Sequence, residues 1–334
     1  MCHIWASRNG MKFNTDKCKT LTLNTNSKNY QFSLGDVILD MVQMYKYLGG
    51  MISTTRLTSL FTRHIALAIK KAEKRINCIK HFGFESDGLR TATCVWMYKV
   101  LVRPILEYAA QVLSYKHYYF TSRRKPTTIH KPSDLLLKLE ECQNRVLKLL
   151  VPCPKNTPPE LVRLLTGTMP LSAHIDILKL RYFWKLSKRN KNNITFKIYN
   201  YKRQNFLESN VGYIHEIFNI CCKYNMMWVW HGVLKPKQNP FSAIKKQVVA
   251  YHLKRDLSKA RTVNCLYSVL CIRHKKYGKK YRLESFLKNF GTFESSEHRR
   301  FFLYSFLDTC AYSRKCPKCY CTVNDILQHT LKDY

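Results

Sequence analysis

The feature that most constrains the fold of this chain is a change of hydrophobic period around Met44–Gly50. Before it, apolar and polar residues alternate in short runs at Thr20–Leu23, 30–34 and 37–39, and Met41–Leu48 is the last of these runs. After it, apolar residues recur every three or four positions. Alternation is typical of half-buried strands, and the longer period is typical of amphipathic helices. The sequence therefore predicts a mainly α chain with a small N-terminal antiparallel β portion, an α+β fold, with a turn at Gly49-Gly50.

The strongest helical signal follows the proposed turn. One apolar stripe comprises Leu57, Phe61, Ile65, Ala68, Ala72, Ile76 and Ile79. Lys70, Lys71, Lys74 and Arg75 lie off this stripe, so the sequence predicts a long helix with one apolar and one basic face.

A second helix is predicted over about Leu89–Ser114. Its expected inward face comprises Val95, Tyr98, Val102, Ile105, Ala109 and Val112. Pro104 should kink or break this helix, because proline has no N–H and its ring clashes with the preceding turn.

More helices are expected along the rest of the chain. One begins at Ser133 or Asp134, one runs from Pro159 through Leu165, and one follows Pro170, with Lys179 among the charged residues around it. Proline suits the first turn of a helix, where an N–H has no partner anyway. Weaker patterns place further helices near 211–224, 241–258, 260–274, 283–290 and 297–308.

Charge sets this chain apart from an ordinary globular protein. Its 334 residues include 57 Lys and Arg but only 21 Asp and Glu, a formal net charge of +36. Such an excess is relieved by a polyanion, and nucleic acid is the usual one. A solvated basic surface and an anionic membrane are the alternatives, but the interleaving of basic residues with Tyr and Phe favours nucleic acid.

Nothing in the sequence indicates a membrane protein or a secreted one. No run approaches the roughly 18 apolar residues of a transmembrane helix, and the first residues lack an apolar signal core. We therefore expect an intracellular protein, in the nucleus or the cytoplasm, whose 14 cysteines are mostly reduced. Cys78, Cys94 and Cys142 lie on predicted apolar helix faces and are expected in the core.

The C-terminal residues contain one candidate metal site. Cys316 and Cys319 form a CxxC pair, and nine residues separate Cys319 from His329, which lies on a helix predicted from Val323. Two thiolates on a tight turn with a later histidine suit tetrahedral Zn²⁺. Cys310 or Cys321 could supply the fourth ligand, although Cys321 is crowded against Cys319. A zinc site and a pair of ordinary thiols both remain open.

Carboxylates for two-metal phosphoryl transfer are not evident. Such chemistry needs an acidic pair that holds two Mg²⁺ ions. Asp36 and Asp40 are the nearest candidates, and their positions beside a polar turn indicate solvated turn residues. The sequence therefore provides no catalytic residue.

An ordered series of motifs resembles the C-terminal part of the reverse transcriptase of LINE-type, non-LTR retrotransposons. The motifs are Trp5-Ala6, Asn14-x-x-Lys17-Cys18-Lys19-Thr20, Tyr45-Lys46-Tyr47-Leu48-Gly49, Val102-Arg103-Pro104-Ile105-Leu106-Glu107-Tyr108, Gln143-Asn144-Arg145-Val146-Leu147-Lys148 and Gly167-x-x-Pro170-Leu171. The likeness covers residues 1–190, is faint over 191–300, and returns at the CxxC…His motif, which is similar to a zinc knuckle.

This resemblance implies a domain organisation. Residues 1–50 would be the end of the polymerase palm, with a primer-grip-like segment at 44–50, and 51–190 an α-helical thumb. Residues 191–300 would form a basic helical region, and 301–334 a truncated zinc knuckle.

The resemblance also implies a partner, either an RNA template or an RNA–DNA hybrid. Contacts are expected at Lys17, Lys19, Tyr45, Lys46 and Tyr47, and on the basic helix face that carries Lys70, Lys71, Lys74 and Arg75. The missing upstream part of the reverse transcriptase would be a further partner, and no membrane partner is expected.

Two departures from the family limit the expected activity. The catalytic aspartates of the family, on a Tyr/Phe-Ala-Asp-Asp hairpin, would lie upstream of Met1, so the isolated chain is predicted to be inactive as an RNA-directed DNA polymerase. Mg²⁺ would be needed only by the intact parent enzyme. Tyr334 stands where the knuckle has its fourth ligand. The alternatives are a stand-alone basic helical nucleic-acid-binding module and a non-functional mobile-element relic.

Overall fold

The computed structural model of the chain describes residues 2–22, 31–53, 62–80, 89–113, 134–151, 153, 157–205, 212–233, 239–261, 314–315 and 322–323. Most of these residues are helical, and short antiparallel ladders lie near the N-terminus. The predicted fold class, mainly α with a small N-terminal β portion, is confirmed at this level.

The N-terminal part consists of one short helix and two small hairpins. Helix α1 spans Cys2–Arg8, a 3-10 turn spans Thr15–Lys17, and β1 (Ser33–Leu34) pairs with β2 (Val37–Ile38), while β3 (Met44–Tyr47) pairs with β4 (Gly50–Ser53). The expected strand at Thr20–Leu23 is reduced, among its described residues, to a parallel bridge between Thr20 and Met41.

The turn between β3 and β4 lies one residue earlier than predicted. Leu48 and Gly49 both have positive φ, 46° and 82°, as a two-residue type I′ hairpin turn requires. Gly50 is already paired with Tyr47. Strand β4 was not predicted, because the double glycine hides the start of a strand.

Helices form the remainder of the described chain. They are α2 (Thr62–Ile79), α3 (Thr91–Met97), α4 (Arg103–Leu106), α5 (Asp134–Leu150), α6 (Pro159–Leu165), α7 (Leu171–Ser187), α8 (Ile194–Gln204), α9 (Tyr213–Lys223), α10 (Met227–His231) and α11 (Pro240–Arg261). The predicted helix starts at Pro159 and after Pro170 are confirmed, whereas α8 and α10 were not predicted. The helices expected at 283–290 and 297–308, and nearly all of 260–274, fall outside the described residues.

Pro104 changes the phase of its helix rather than ending it. A π turn, Tyr98–Val102, joins α3 to α4, and the N–H of Arg103 donates to the carbonyl of Tyr98, five residues earlier. The wider turn accommodates a proline that has no N–H of its own. Beyond it Leu106, Ala110 and Leu113 are buried. Of the predicted inward face, Ile105 and Ala109 are partly buried against the core, whereas Val112 is exposed, so the prediction is wrong at Val112.

The described core has two main clusters that meet on α7. The first is formed by α2, α3, α4, α5 and α6 with Leu171 and Ile175 of α7. The second is formed by the rest of α7 with α8, α9, α10 and α11. Helix α7 therefore contributes residues to both clusters. The domain boundary predicted at residue 190 stays a prediction.

The predicted apolar stripe of α2 is confirmed over its described part. Its five members from Ile65 to Ile79 are buried. Cys94 and Cys142 are buried as predicted, and Cys78 is exposed, so that prediction is wrong. Cys78 lies one turn after Lys74, on the solvent side of α2, and not on the stripe.

Helix α7 carries charged groups into the interior. Lys179 is fully buried, and its Nζ donates to Glu216 of α9 over 2.6 Å. The prediction that places Lys179 on a charged outer side is therefore wrong. Because α5, α8, α9 and α11 all pack against α7, this helix has little solvent-facing surface for a lysine.

A buried bidentate ion pair joins α6 to α11. The guanidinium of Arg163 donates through Nε and Nη2 to the two carboxylate oxygens of Asp256, over 3.0 and 3.1 Å. Both residues are buried. Among the described residues, the loss of Asp256 would leave the buried Arg163 guanidinium with only the longer, 3.6 Å ion-pair contact to Glu160.

Asp256→Asn should therefore lower the free energy of unfolding by about 3 kcal/mol, measured by denaturant titration. The control is Glu73→Gln, which removes the exposed Glu73–Arg145 pair, 2.8 Å long. That control should cost less than about 1 kcal/mol. Equal losses in the two variants would contradict the role assigned to the buried pair.

A second buried network joins α7, the end of α9 and α11. Asp176 accepts from Lys223 Nζ over 2.9 Å and from the Tyr224 hydroxyl over 2.6 Å, so the single hydroxyl hydrogen points to Asp176. His252 Nε2, 2.6 Å from the Tyr224 oxygen, must then carry a hydrogen and donate it. Burial, together with the charges of Lys223 and Arg255, lowers the pKa of His252 to about 2.

This histidine should make the fold sensitive to acid. The pKa of His252 is lower in the folded than in the unfolded state. Its contribution to the free energy of unfolding is therefore present at neutral pH and is lost as the pH falls below about 6.5. Between pH 7 and pH 5 one such histidine lowers the free energy of unfolding by about 2 kcal/mol.

His252→Gln retains an N–H donor for Tyr224 but does not titrate. Other titrating groups contribute equally to both proteins. Denaturant titrations at pH 7 and pH 5 should therefore show that the free energy of unfolding falls by about 2 kcal/mol less in the variant than in the unmodified chain. An unchanged acid loss would show that His252 is not held neutral.

Candidate nucleic-acid interface

The β3–β4 hairpin separates the residues that the sequence places together. Because neighbouring side chains on a strand point to opposite faces, Lys46 lies on the face opposite to Tyr45 and Tyr47. Lys46 and Tyr47 are exposed, whereas Tyr45 is half-buried. The expected group of three is thus divided between two surfaces.

Tyr45 connects the hairpin to the Lys17–Lys19 segment. Its hydroxyl donates to the Lys17 carbonyl over 2.6 Å. The 3-10 turn that presents Lys17 is capped by the side chain of Asn14, which accepts from the Lys17 N–H over 3.2 Å. Tyr45 and Lys17 are therefore adjacent, with the Lys17 side chain exposed.

Lys19 already has an anionic partner. Its Nζ donates to Asp40 over 2.6 Å, because the Thr20–Met41 bridge brings the two segments side by side. The hydrogen bond to Asp40 raises the pKa of Lys19, and the same bond lowers the pKa of Asp40. Asp36 and Asp40 are both exposed, as predicted. A phosphate at Lys19 would have to compete with this carboxylate.

Tyr108, which follows α4, holds the tip of the hairpin. Its hydroxyl donates to the carbonyl of Leu48. A Cβ at Gly49 would lie 3.0 Å from the same hydroxyl oxygen, so the turn approaches the ring closely. On the other side, His64 Nε2 of α2 lies 3.3 Å from the Tyr108 carbonyl. Tyr108 thus links the hairpin, α4 and α2.

Helix α2 presents the predicted basic face to solvent. Lys70, Lys71, Lys74 and Arg75 are all exposed. Lys70 and Lys74, like Lys71 and Arg75, are four residues apart and therefore stand one above the other. Glu73, the acidic residue of α2, lies at the edge of this face and pairs with Arg145 of α5 over 2.8 Å. None of the four cations forms an ion pair with another described residue.

The hairpin and the basic face of α2 are neighbours along one helix. The hairpin tip is held beside His64 through Tyr108, and Lys70 lies six residues further, about 9 Å along the axis. This arrangement places two of the predicted groups on the same part of the molecule.

The candidate zinc ligands cannot be placed. Cys316, Cys319 and His329 lie outside the described residues. Strands β5 (Arg314–Lys315) and β6 (Thr322–Val323) pair antiparallel, and both cysteines fall between them in sequence. Val323 is in a strand, so the predicted helix does not include it, and residues 324–331 of that prediction lie outside the described residues. Elsewhere in the described chain, no three His, Cys, Asp or Glu side chains gather as metal ligands would.

The described helices include none that is both long enough and apolar enough to span a lipid bilayer.

Comparison with known proteins gives no identification, because no family model, curated protein or solved structure matches the chain. The candidate interface therefore has to be argued from its own residues.

Two residues of this interface were missed as positioning residues. In the sequence Tyr108 is marked only by the motif that contains it, and His64 carries no local signal beyond its place near an apolar stripe. Their roles depend on contacts with residues 44 and 60 positions away. No spacing rule within one helix predicts such contacts.

Tyr108→Phe should release the hairpin. The Leu48 carbonyl would lose its donor, at a cost of about 1 kcal/mol. Amide hydrogen exchange should become faster at residues 44–53 and stay unchanged in α7 and α11. Tyr201→Phe, an exposed tyrosine of α8, is the matched control. Unchanged exchange in the hairpin would contradict the anchoring role of Tyr108.

Proposed function

We propose that this chain binds RNA or an RNA–DNA hybrid, as the C-terminal part of a LINE-type, non-LTR retrotransposon reverse transcriptase. In this proposal residues 1–50 end the palm, 51–190 form the thumb, and the isolated chain does not polymerise DNA. The ordered motif series supports the family, and the exposed basic face of α2 supports the ligand.

The basic face of α2 is the observation that carries this proposal. Its four cations follow one face of a regular helix that is fixed to the core by its buried stripe. A row of cations that form no ion pair with another described residue favours a backbone of regularly spaced phosphates, because each neutralised phosphate releases condensed counterions. A solvated surface of a globular protein usually mixes both signs of charge, and this face does not.

The hairpin would supply the second contact. Its tip is pinned by Tyr108, and it presents Tyr47 and Lys46 on opposite faces. The exposed ring of Tyr47 suits stacking on a terminal base. In the proposed reverse transcriptase this end would be the primer terminus.

A stand-alone basic helical nucleic-acid-binding module is the alternative. It is favoured by the excess of exposed cations beyond α2, including Lys191, Lys197 and Lys202 around α8. In that case binding would depend on total charge and not on one face.

The binding face can be tested by fluorescence anisotropy with a short RNA–DNA hybrid. Replacement of Lys70, Lys71, Lys74 and Arg75 by Gln should weaken binding. It should also reduce the slope of log K against log salt concentration by up to about 3.6, because each duplex phosphate contact contributes about 0.9. The control replaces Lys191, Lys197, Lys202 and Lys254, four exposed lysines of α8, its approach and α11, by Gln.

If the control loses as much affinity as the α2 variant, binding follows total charge and the stand-alone module is favoured. A primer-extension assay separates activity from binding. The isolated chain should bind the hybrid without incorporating nucleotides, and robust incorporation would contradict the proposed absence of the catalytic carboxylates.

We also propose a zinc knuckle at Cys316, Cys319 and His329. Two thiolates and an imidazole at this sequence spacing suit Zn²⁺, which needs one more ligand to close the site. Mass spectrometry of the purified chain should find zinc, and a chelator should lower its stability. The absence of zinc and an unchanged stability with the chelator would contradict this proposal.

A further inference from the structure

A second group of cations lies where the α3–α4 segment, α7 and α11 meet. It comprises Lys99 of the π turn, Arg103 of α4, Arg181 of α7 and Lys245 of α11. All four charges act on one imidazole, that of His174 on α7. Burial, with these four positive charges, lowers the pKa of His174 to about 3, so its ring is neutral. We name these five residues the seam site.

Three of the four cations of the seam site donate to neutral acceptors. Arg103 Nη1 donates to His174 Nε2 over 3.2 Å, and Lys99 Nζ donates to the Gly167 carbonyl over 3.2 Å. Arg181 Nη2 donates to the Phe241 carbonyl over 3.2 Å. These bonds fix the side chains but do not neutralise their charge.

One carboxylate, Glu107, approaches the group without completing it. Its Oε1 lies 3.5 Å from Arg103 Nε and 3.4 Å from His174 Nδ1. Neither Glu107 Oε1 nor Arg103 Nε has a hydrogen-bond partner in the described part of the chain, although both atoms are buried. Burial raises the pKa of Glu107 to about 7 despite the opposing effect of Arg103. At neutral pH Glu107 therefore offsets at most one of the four charges.

Repulsion among four neighbouring cations is unusual for a cluster that has only a structural role. Elsewhere in the described chain a buried cation meets a carboxylate directly, as Arg163 meets Asp256 and Lys179 meets Glu216. In the seam site Arg103 Nε has only the longer, 3.5 Å contact to Glu107, and Arg181 Nε is buried without a hydrogen-bond partner among the described residues. Buried donors without acceptors are costly, so an acceptor is missing from the described contacts.

We propose that the seam site binds a phosphoryl group. Two guanidinium groups and two ammonium groups from three separate elements match its charge and its oxygen acceptors. Partial burial strengthens such contacts, because the local dielectric is lower than that of water. The site is reachable, since Lys245 is exposed and the Arg103 and His174 side chains retain 24% and 20% of their exposure.

The proposed phosphoryl group has two sources, a backbone phosphate of bound nucleic acid or a free phosphorylated ligand. The seam site shares no residue with the basic face of α2. It therefore goes beyond the proposed function and does not depend on the family resemblance.

The first experiment measures thermal unfolding of the full chain with inorganic phosphate or pyrophosphate against chloride at equal ionic strength. Phosphate should raise the unfolding midpoint of the unmodified chain more than chloride does. Lys99→Gln with Lys245→Gln should weaken the apparent affinity about tenfold or more, because two charge-assisted contacts are lost. Lys245→Gln alone, at an exposed position, should fold normally and show part of the same loss.

Lys197→Gln with Lys202→Gln on α8 is the control, since it removes the same charge from exposed positions and should leave the phosphate effect intact. Equal effects of phosphate and chloride on the unmodified chain would overturn the proposal. A phosphate effect that survives in the Lys99 and Lys245 double variant would overturn it as well.

A second arm uses the RNA–DNA hybrid with the same double variant. If both phosphate and hybrid binding weaken beyond the control, the seam site holds a backbone phosphate. If only phosphate binding weakens, it holds a free phosphorylated ligand. If the α2 variant loses hybrid binding but phosphate does not stabilise the unmodified chain more than chloride, the proposed function is supported and the proposal of the seam site is wrong.

Discussion

Carboxylates are scarce in this chain, and in its described part the buried ones lie where helices meet. Arg163 and Asp256 join α6 to α11, and Lys179 and Glu216 join α7 to α9. Asp176 on α7 binds two groups at the end of α9. Each of these carboxylates is paired with a cation, so the pairs leave the excess of 57 Lys and Arg over 21 Asp and Glu unchanged. The rest of the chain is therefore strongly basic.

Helix α7 is where these constraints converge. Its apolar residues contribute to both core clusters, and its polar residues form the buried pairs with α9 and the seam site with α4 and α11. Buried ion pairs add little net stability compared with apolar packing, but each is costly to break and therefore fixes which helices meet. The same helix thus sets the orientation of the two clusters and the position of the cations between them.

The two candidate interfaces differ in how far sequence reasoning reaches. The basic face of α2 follows from apolar residues that recur every three or four positions, so the sequence alone predicts its residues. Of the hairpin group, Tyr45 and Lys17 are adjacent and Lys46 lies on the other face, since strand alternation separates neighbours in sequence. Tyr108, which fixes the hairpin, acts on a residue 60 positions away. The seam site gathers side chains from Lys99 to Lys245, and no motif marks it.

The sequence by itself determined the change from β to α structure, the two faces of α2, the helix starts at Pro159 and Leu171, and the sign of the charge. These depend on propensity, period and composition, which act over a few residues. Tertiary structure alone decided that Lys179 is buried, that Val112 is exposed on the segment after the π turn, and that four cations meet at His174. Each of these depends on which distant segment covers a given side chain, and that is a property of packing.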